Sequence, residues 1–427
     1  MNHELPAPSF WASVGLGAAP ARRRLRVLHL IETLGRGGAE RNLVNVLLHL
    51  PRGEHAVCYL HPPDDYVQTL ARAGIPVRCL QMGGRLDIAR LIRQIQIELE
   101  RGAFHLLFTQ IWLADILGRI GGSLARVPVL SAVQTSAYEP ETLATYSFAG
   151  RMKTHLWRRT LDALTAHLFL RRFVAASRFS GTQICKRLWL PKERVVVVPN
   201  SVDLDRFHPL PPAARLRLRE EMGVRAGDQI LVSVGKMNKG KGNDILIHAM
   251  PHVLRQVPRA QLWLLGIGPD RDALGRLAAR CGAAGAVRFL GQQADVERYL
   301  WTADLFVFAS RFEGMPLAVL EAMACGVPCI LSDIPPHREV SDGGRLALLV
   351  PPEPRAWGEA ILSHLGQPQV AHRLAEAARQ HTVAHYDARA VAQTLDALFQ
   401  REARRSPWDR GPGLGDWLRA TRGFRGD

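Results

Sequence analysis

No run of eighteen or more apolar residues occurs in the 427-residue sequence, so no segment reads as a membrane-crossing helix. Cysteine is scarce. Cys58, Cys79, Cys185, Cys281, Cys325 and Cys329 have neither metal-ligand nor redox spacing, and fit free thiols in a reducing cytosol. Acidic residues are short too: 39 Asp and Glu against 55 Lys and Arg leave a formal charge of +16, which calls for an anionic partner. With 7% aromatic residues and no recognisable nucleic-acid module, an anionic membrane surface is the better expectation, and no nucleic acid. The apolar stretch from Phe10 to Ala21 follows Glu4 and precedes the arginines, the reverse of a secretion signal. Residues 1–23 are expected to be a disordered extension.

What is present is ample core: 47% of the residues are hydrophobic, enough for two domains. Apolar runs at Arg26–Ile31, Ala56–Leu60, Leu106–Thr109 and Val129–Val133 alternate with helical stretches such as Leu86–Glu100. Val174–Arg187 reads as a helix and Arg194–Asn200 as a strand. The pattern resumes at Ile230–Val234, the helix Ile245–Gln256, Leu262–Leu265, Val287–Gly291 and Cys329–Asp333, and ends in two amphipathic helices reaching about Arg404. Strands alternating with helices predict an α/β fold with parallel, doubly wound sheets.

The stretch Asp304–Pro328 is the most informative. Leu305–Ala309 is a short apolar strand, Ser310–Gly314 a polar loop, and Pro316 opens a helix that Gly326 and Pro328 close. Ligands of open α/β sheets sit at the carboxyl ends of strands beside helix N-termini, where Glu313 falls. Glu321, eight residues on, lies in the second helical turn among Leu317, Leu320 and Ala324, so a buried carboxylate there needs a partner. The alternative is a solvated Glu321 and a capping Glu313.

This Glu-x7-Glu segment closely resembles the signature of the retaining nucleotide-sugar glycosyltransferases of family 4, over a likeness running from about Arg26 to about Val350. The resemblance implies the GT-B architecture, two Rossmann-like doubly wound domains facing each other across a cleft. It gives an acceptor domain at 24–200, a donor domain at 201–385 and a helix at 386–405 crossing back to the first domain, while residues 406–427, rich in Gly, Arg, Asp and Trp without periodicity, read as a disordered tail. It further implies that Glu313 binds the donor sugar and Glu321 the ribose hydroxyls, since a carboxylate accepts several hydroxyl hydrogen bonds. In the Gly-x-Gly-Gly turn after the first strand, Gly37 and Gly38 would face the donor diphosphate. Lys236 and Lys241 match the spacing of the family's arginine and lysine, the first exchanged, which loses a bidentate fork and keeps a charge. Lys239 competes with less suitable spacing. Amides near Met315 and Leu317 would join the diphosphate site, and backbone near Leu290 would read the base.

Other features depart from the family or stay open. Gln134 stands where many relatives begin the loop with a histidine near the acceptor. Pro316, lacking an N–H, replaces a glycine. Asp203-Leu-Asp205 matches a metal-binding Asp-x-Asp only superficially, in a proline-rich linker, and no metal or other cofactor is required. Gly266-x-Gly268 reads as a structural turn rather than a phosphate loop, and His337, which could reach the cleft, reads rather as an exposed loop histidine. Arg151–Arg172 fits equally an interfacial amphipathic segment and a helix packed on its own sheet with solvated arginines.

The expected activity is transfer of a hexose from a nucleoside-diphosphate sugar to a hydroxyl acceptor with retention, in envelope, exopolysaccharide or lipopolysaccharide synthesis. Glu313, Lys236 and Lys241 would be catalytic, with a glycan or lipid-linked acceptor. The expected location is cytoplasmic, peripheral on the inner membrane face. The alternatives are a catalytically degenerate membrane-associated nucleotide-sugar-binding partner, and another GT-B enzyme such as a nucleotide-sugar epimerase or a phosphorylase.

Overall fold

The structure, a computed structural model, describes residues 25–51, 55–84, 87–134 and 157–404. The expectations for residues 1–23 and 406–427, and for Arg151 to Leu156 of the basic segment, lie outside these. The chain divides into two compact units. Of the described residues, those up to 134, 157–199 and 389–404 form the first, and 200–388 the second.

The first unit holds a parallel seven-stranded sheet: β1 (Val27–Ile31), β2 (His55–Tyr59), β3 (Val77–Cys79), β4 (Leu106–Gln110), β5 (Val129–Val133), β6 (Arg172–Ala175) and β7 (Val195–Val197), in the order β3-β2-β1-β4-β5-β6-β7. Every residue of β1, β2, β4 and β5 is buried, as strands covered on both faces require. One face carries the helices Gly38–Leu47 and Ala388–Ala403. Leu43, Val46, Leu395 and Phe399 pack there on Val27, Val57 and Phe108. The helices Trp112–Leu124 and Arg159–Phe169 are tied together through a polar interior. Arg119, fully buried, pairs with Asp162 at 2.5 Å and donates to Ser131 Oγ at 3.1 Å.

The second unit holds β8 (Gln229–Val234), β9 (Ala260–Leu265), β10 (Val287–Gly291), β11 (Leu305–Phe308), β12 (Cys329–Ser332) and β13 (Leu348–Val350), all parallel, in the order β10-β9-β8-β11-β12-β13. Trp357 of the helix Pro354–Gly366 is wholly buried in the core formed with the helix Asn243–Gln256. In both units the strand order reverses beside the first strand, at β1/β4 and β8/β11. Each reversal leaves a crevice where two successive loops diverge.

The elements differ from the sequence reading in four places. Residues 172–175 form β6, so the following helix starts at Arg178, where Ser177 caps it by accepting from Ser180 N. Three helices, not two, follow β13, because Pro368 and Asp387 interrupt the apolar periodicity at Pro354–Gly366, Pro368–Tyr386 and Ala388–Ala403. Pro316 is the extended N-cap of the helix Leu317–Ala324 rather than its first residue. The three-residue edge strands β3 and β13 escaped prediction, being too short to show a period.

Candidate active site

The second unit builds its candidate site at the β8/β11 reversal from two interlocked loops. Gly242 has φ +64°, and a Cβ there would lie 1.9 Å from the Ala309 carbonyl oxygen, so only glycine lets the first loop touch the end of β11. A Cβ on Gly240 would lie 2.5 Å from the Phe312 ring. Arg311 then clamps the loops, with Nη1 and Nη2 at 2.9 and 2.7 Å from the two Asp244 oxygens and Nη1 also donating to Lys239 O. The loop after β9 backs them: a Cβ on Gly266 or Gly268 would strike the Gly235 or Met237 carbonyl, which makes this turn a structural one.

Within this frame Lys241 Nζ lies 2.5 Å from Glu313 Oε1, and Ser310 Oγ donates to the same oxygen at 2.6 Å. The Glu313 side chain is 10% exposed. Both bonds end on Oε1, so the carboxylate is fixed in direction while Oε2 has no hydrogen bond among the described residues. Lys236 is exposed on the same loop, with no ion pair there among the described residues. Glu321 is 1% exposed, which overturns the solvated reading. Met315 and Leu317 are buried, and Asn200 Nδ2 donates to Met315 O at 2.8 Å. Leu290 falls where the β9/β10 register slips, so its backbone is out of the ladder. Its carbonyl accepts from Gln293 Nε2 at 2.5 Å.

His337 is a correction: it is fully buried in the short helix Pro335–Val340, not exposed in a loop. Its Nδ1 lies 2.8 Å from the Ser332 carbonyl, which only accepts, so Nδ1 carries the hydrogen. Ser332 Oγ in turn donates to the Ser310 carbonyl. Burial pushes the imidazole down to about 4, so a neutral ring stands within electrostatic reach of Glu313 and Lys241. Sequence reasoning missed Ser310 and the Arg311–Asp244 clamp, and set His337 aside as exposed. Only the clustering of polar residues just after β11 and β12 hinted at them.

In the first unit Gly37 caps the helix Gly38–Leu47, and the space over it is filled by the Glu40 carboxylate, 2.1 Å from where a Cβ would stand. Thr33 Oγ1 donates to that carboxylate at 2.8 Å. Over Gly38 the space is open. Gln134 lines a cavity of about 30 Å³ with His29, Asn42, Phe108 and Gln110. Gln110, absent from the sequence reading, ends β4 at the reversal, is 2% exposed, and its Oε1 has no hydrogen-bond partner among the described residues. The next residue, Ile111, has φ +72°, an uncommon conformation for a β-branched residue. Asp203 accepts from the backbone N–H of Asp205 and Arg206, a local turn of its own.

Two parallel sheets of Rossmann-like order, with lysines and a fixed carboxylate at a strand-order reversal, define a nucleotide-binding α/β protein of the GT-B class. HepE of Anabaena in complex with UDP-glucose shares this fold, at a TM-score of 0.77 and 21% identity over 88% of this chain and 100% of that one. Residues 36–206 match Glycosyltransferase Family 4, and residues 215–381 match Glycosyl transferases group 1. The chain belongs to the family 4 glycosyltransferases, and is a nucleotide-sugar-dependent enzyme. The D-inositol 3-phosphate glycosyltransferase of Nocardia farcinica is 28% identical over 73% of this chain and 69% of its own length. The UDP-Gal:alpha-D-GlcNAc-diphosphoundecaprenol alpha-1,3-galactosyltransferase of Escherichia coli is 27% identical over 64% of this chain and 69% of its own.

Proposed function

We propose that this enzyme transfers a hexose, with retention, from a nucleoside-diphosphate donor held by the second unit to a hydroxyl of a lipid-linked envelope glycan. The observation that carries the donor half is the Lys241–Glu313–Ser310 arrangement at the β8/β11 reversal. Bond breaking loads negative charge onto the departing diphosphate, and Lys236, Lys241 and the amides near Met315 and Leu317 offer positive potential for it. Glu313 Oε2 is the acceptor available for a sugar hydroxyl, and Glu321 is assigned the ribose. The backbone near Leu290 is assigned the base. In the first unit, Gly38, with Gly37 beside it, is assigned to the diphosphate and Gln134 to the acceptor, both on the family resemblance.

A lipid-linked acceptor is supported by the name of the Escherichia coli relative, whose acceptor carries diphosphoundecaprenol. Among the described residues no helix is long and apolar enough to cross a membrane. The enzyme is therefore proposed to reach such an acceptor from the cytoplasm, peripherally on the inner membrane face, with its positive charge favouring anionic lipid.

The test is a panel of UDP- and GDP-hexoses read by thermal shift and slow donor hydrolysis. One donor should raise the melting temperature, and Glu321→Gln should remove the effect. Silence from every donor would sink the reading and favour a degenerate binding partner. With the donor known, NMR of the product's anomeric proton decides stereochemistry, and an inverted centre would exclude retention.

A further inference from the structure

The helix Arg159–Phe169 has its amphipathicity reversed. Its inner face is polar or small: Asp162, Ala163, Thr165 and Ala166 are buried, with Asp162 and Thr165 engaged by Arg119. Its outer face is apolar: Leu164 is 53% exposed and Leu168 42%. Trp157, in the turn leading into the helix, is 62% exposed and, seven residues before Leu164, falls on the same face. A helix in water normally arranges these faces the other way round.

A second element joins this face. The helix Arg178–Leu188 ends at Trp189, which adopts a left-handed conformation at φ 53° and is 48% exposed. Trp189 is held beside the first helix: the Arg159 guanidinium stacks 4.4 Å over its ring and donates to Arg187 O at 2.7 Å. His167 Nε2 lies 2.9 Å from Leu188 O. Around these apolar groups the charge is nearly all of one sign. Residues 157–194 hold nine Arg and Lys against two acids, Asp162 and Glu193, and Asp162 is buried against Arg119. Arg158, Lys186 and Lys192 are exposed.

We propose that Trp157, Leu164, Leu168 and Trp189 form a docking surface for an anionic lipid bilayer, with Arg158, Arg159, Lys186 and Lys192 meeting the headgroups. This deepens the reading of a membrane-borne acceptor, on which its purpose rests. Charge complementarity selects the occupant, because a second copy of the chain would bring the same cations against these, whereas an anionic headgroup layer neutralises them. Tryptophan ring edges and leucine side chains suit the boundary between headgroups and acyl chains. The described part of the basic segment, residues 157–172, thus departs from the reading of an apolar face packed on its own sheet: it packs on its own unit through polar and small groups and leaves its apolar side outward.

The experiment floats the full chain with vesicles of phosphatidylcholine alone, and with vesicles of equal parts phosphatidylcholine and phosphatidylglycerol. The chain should float with the mixed vesicles and not with the neutral ones, and added salt should weaken the association. Leu164→Glu and Trp157→Ala, both at exposed positions, should each cut the bound fraction at least about ten-fold. Brominated acyl chains should quench the wild-type tryptophan fluorescence, a readout independent of any variant. No flotation with mixed vesicles at low salt, no quenching, or flotation untouched by both variants would overturn the proposal. So would concentration-dependent sedimentation without vesicles that the variants abolish, which would identify a second copy as the occupant. Donor thermal shifts on the same preparations keep the two readings apart, since a donor response without flotation removes only the docking surface.

Discussion

Glu313 is held by two donors that arrive on one oxygen, and their removal should have different consequences. Ser310→Ala deletes a neutral hydroxyl that orients the carboxylate. It should lower kcat/KM for donor hydrolysis by about 2 kcal/mol of transition-state free energy, as for a hydrogen bond to a charged group. Lys241→Met removes both the counter-charge of Glu313 and a cation assigned to the leaving diphosphate, and should cost about 3 kcal/mol, chiefly in kcat. Equal and small effects on both would mean that Glu313 is not at the reacting centre. The sequence drew Glu313, Glu321 and Lys241 from a motif's spacing. It carried no sign that Lys241 and Glu313, 72 positions apart, form an ion pair, nor that Ser310 joins it, because those contacts arise only when β8 and β11 lie side by side. His337 was misread for a related reason: a histidine after two prolines resembles an exposed turn, and only the neighbouring strands β11 and β12 bury it.

At the scale of elements, the parallel strands were legible wherever they were buried on both faces. β11 stands out as an unbroken apolar run, and β1 and β5 as apolar runs broken only by His29 and Ser131. β3 and β13 lie at sheet edges, are three residues long and only partly buried, and so leave no such trace. Loop geometry was the least legible part, since Lys239-Gly240-Lys241-Gly242 carries no periodicity to read while the structure fixes it against β11. Gly242→Ala should therefore be far more costly than the replacement of an unobstructed left-handed glycine. At Gly282 (φ +70°) nothing lies within 4 Å of an added Cβ, and alanine should cost only the backbone term of about 1–2 kcal/mol. At Gly242 the same term is joined by a clash with the Ala309 carbonyl that no rotamer can relieve. Urea denaturation of the two variants checks this, and equal midpoints would mean that the loop is free to move away.

For the molecule as a whole, acid should act through the first unit's core. His29 Nε2 and His55 Nδ1 lie 3.1 Å apart beneath Phe399, and burial holds both rings neutral, His55 down to about 4. The unfolded chain takes up protons near pH 6.5, so it binds more of them than the folded chain across this window. Stability should fall as pH drops from 6.5 toward 4, by about 1.4 kcal/mol per pH unit for each ring. The Asp115 carboxyl, raised to about 7 by burial, keeps a proton that the unfolded chain has lost, and acts in the opposite sense below pH 7. Comparing wild type with His55→Phe isolates the histidine contribution. Melting temperatures should diverge between about pH 8 and about pH 5, with the wild type losing more, and parallel curves would remove the pair as the cause. The same Phe399 belongs to the final helix, whose residues from Arg389 return to a unit otherwise finished by Pro199. During synthesis the whole second unit therefore leaves the ribosome before the first can seal its core. Until residue 399 emerges, Val27, Val57 and Phe108 have only the helix Gly38–Leu47 over them, and a ribosome stalled anywhere in the second unit would present a half-covered sheet face that invites chaperones or aggregation.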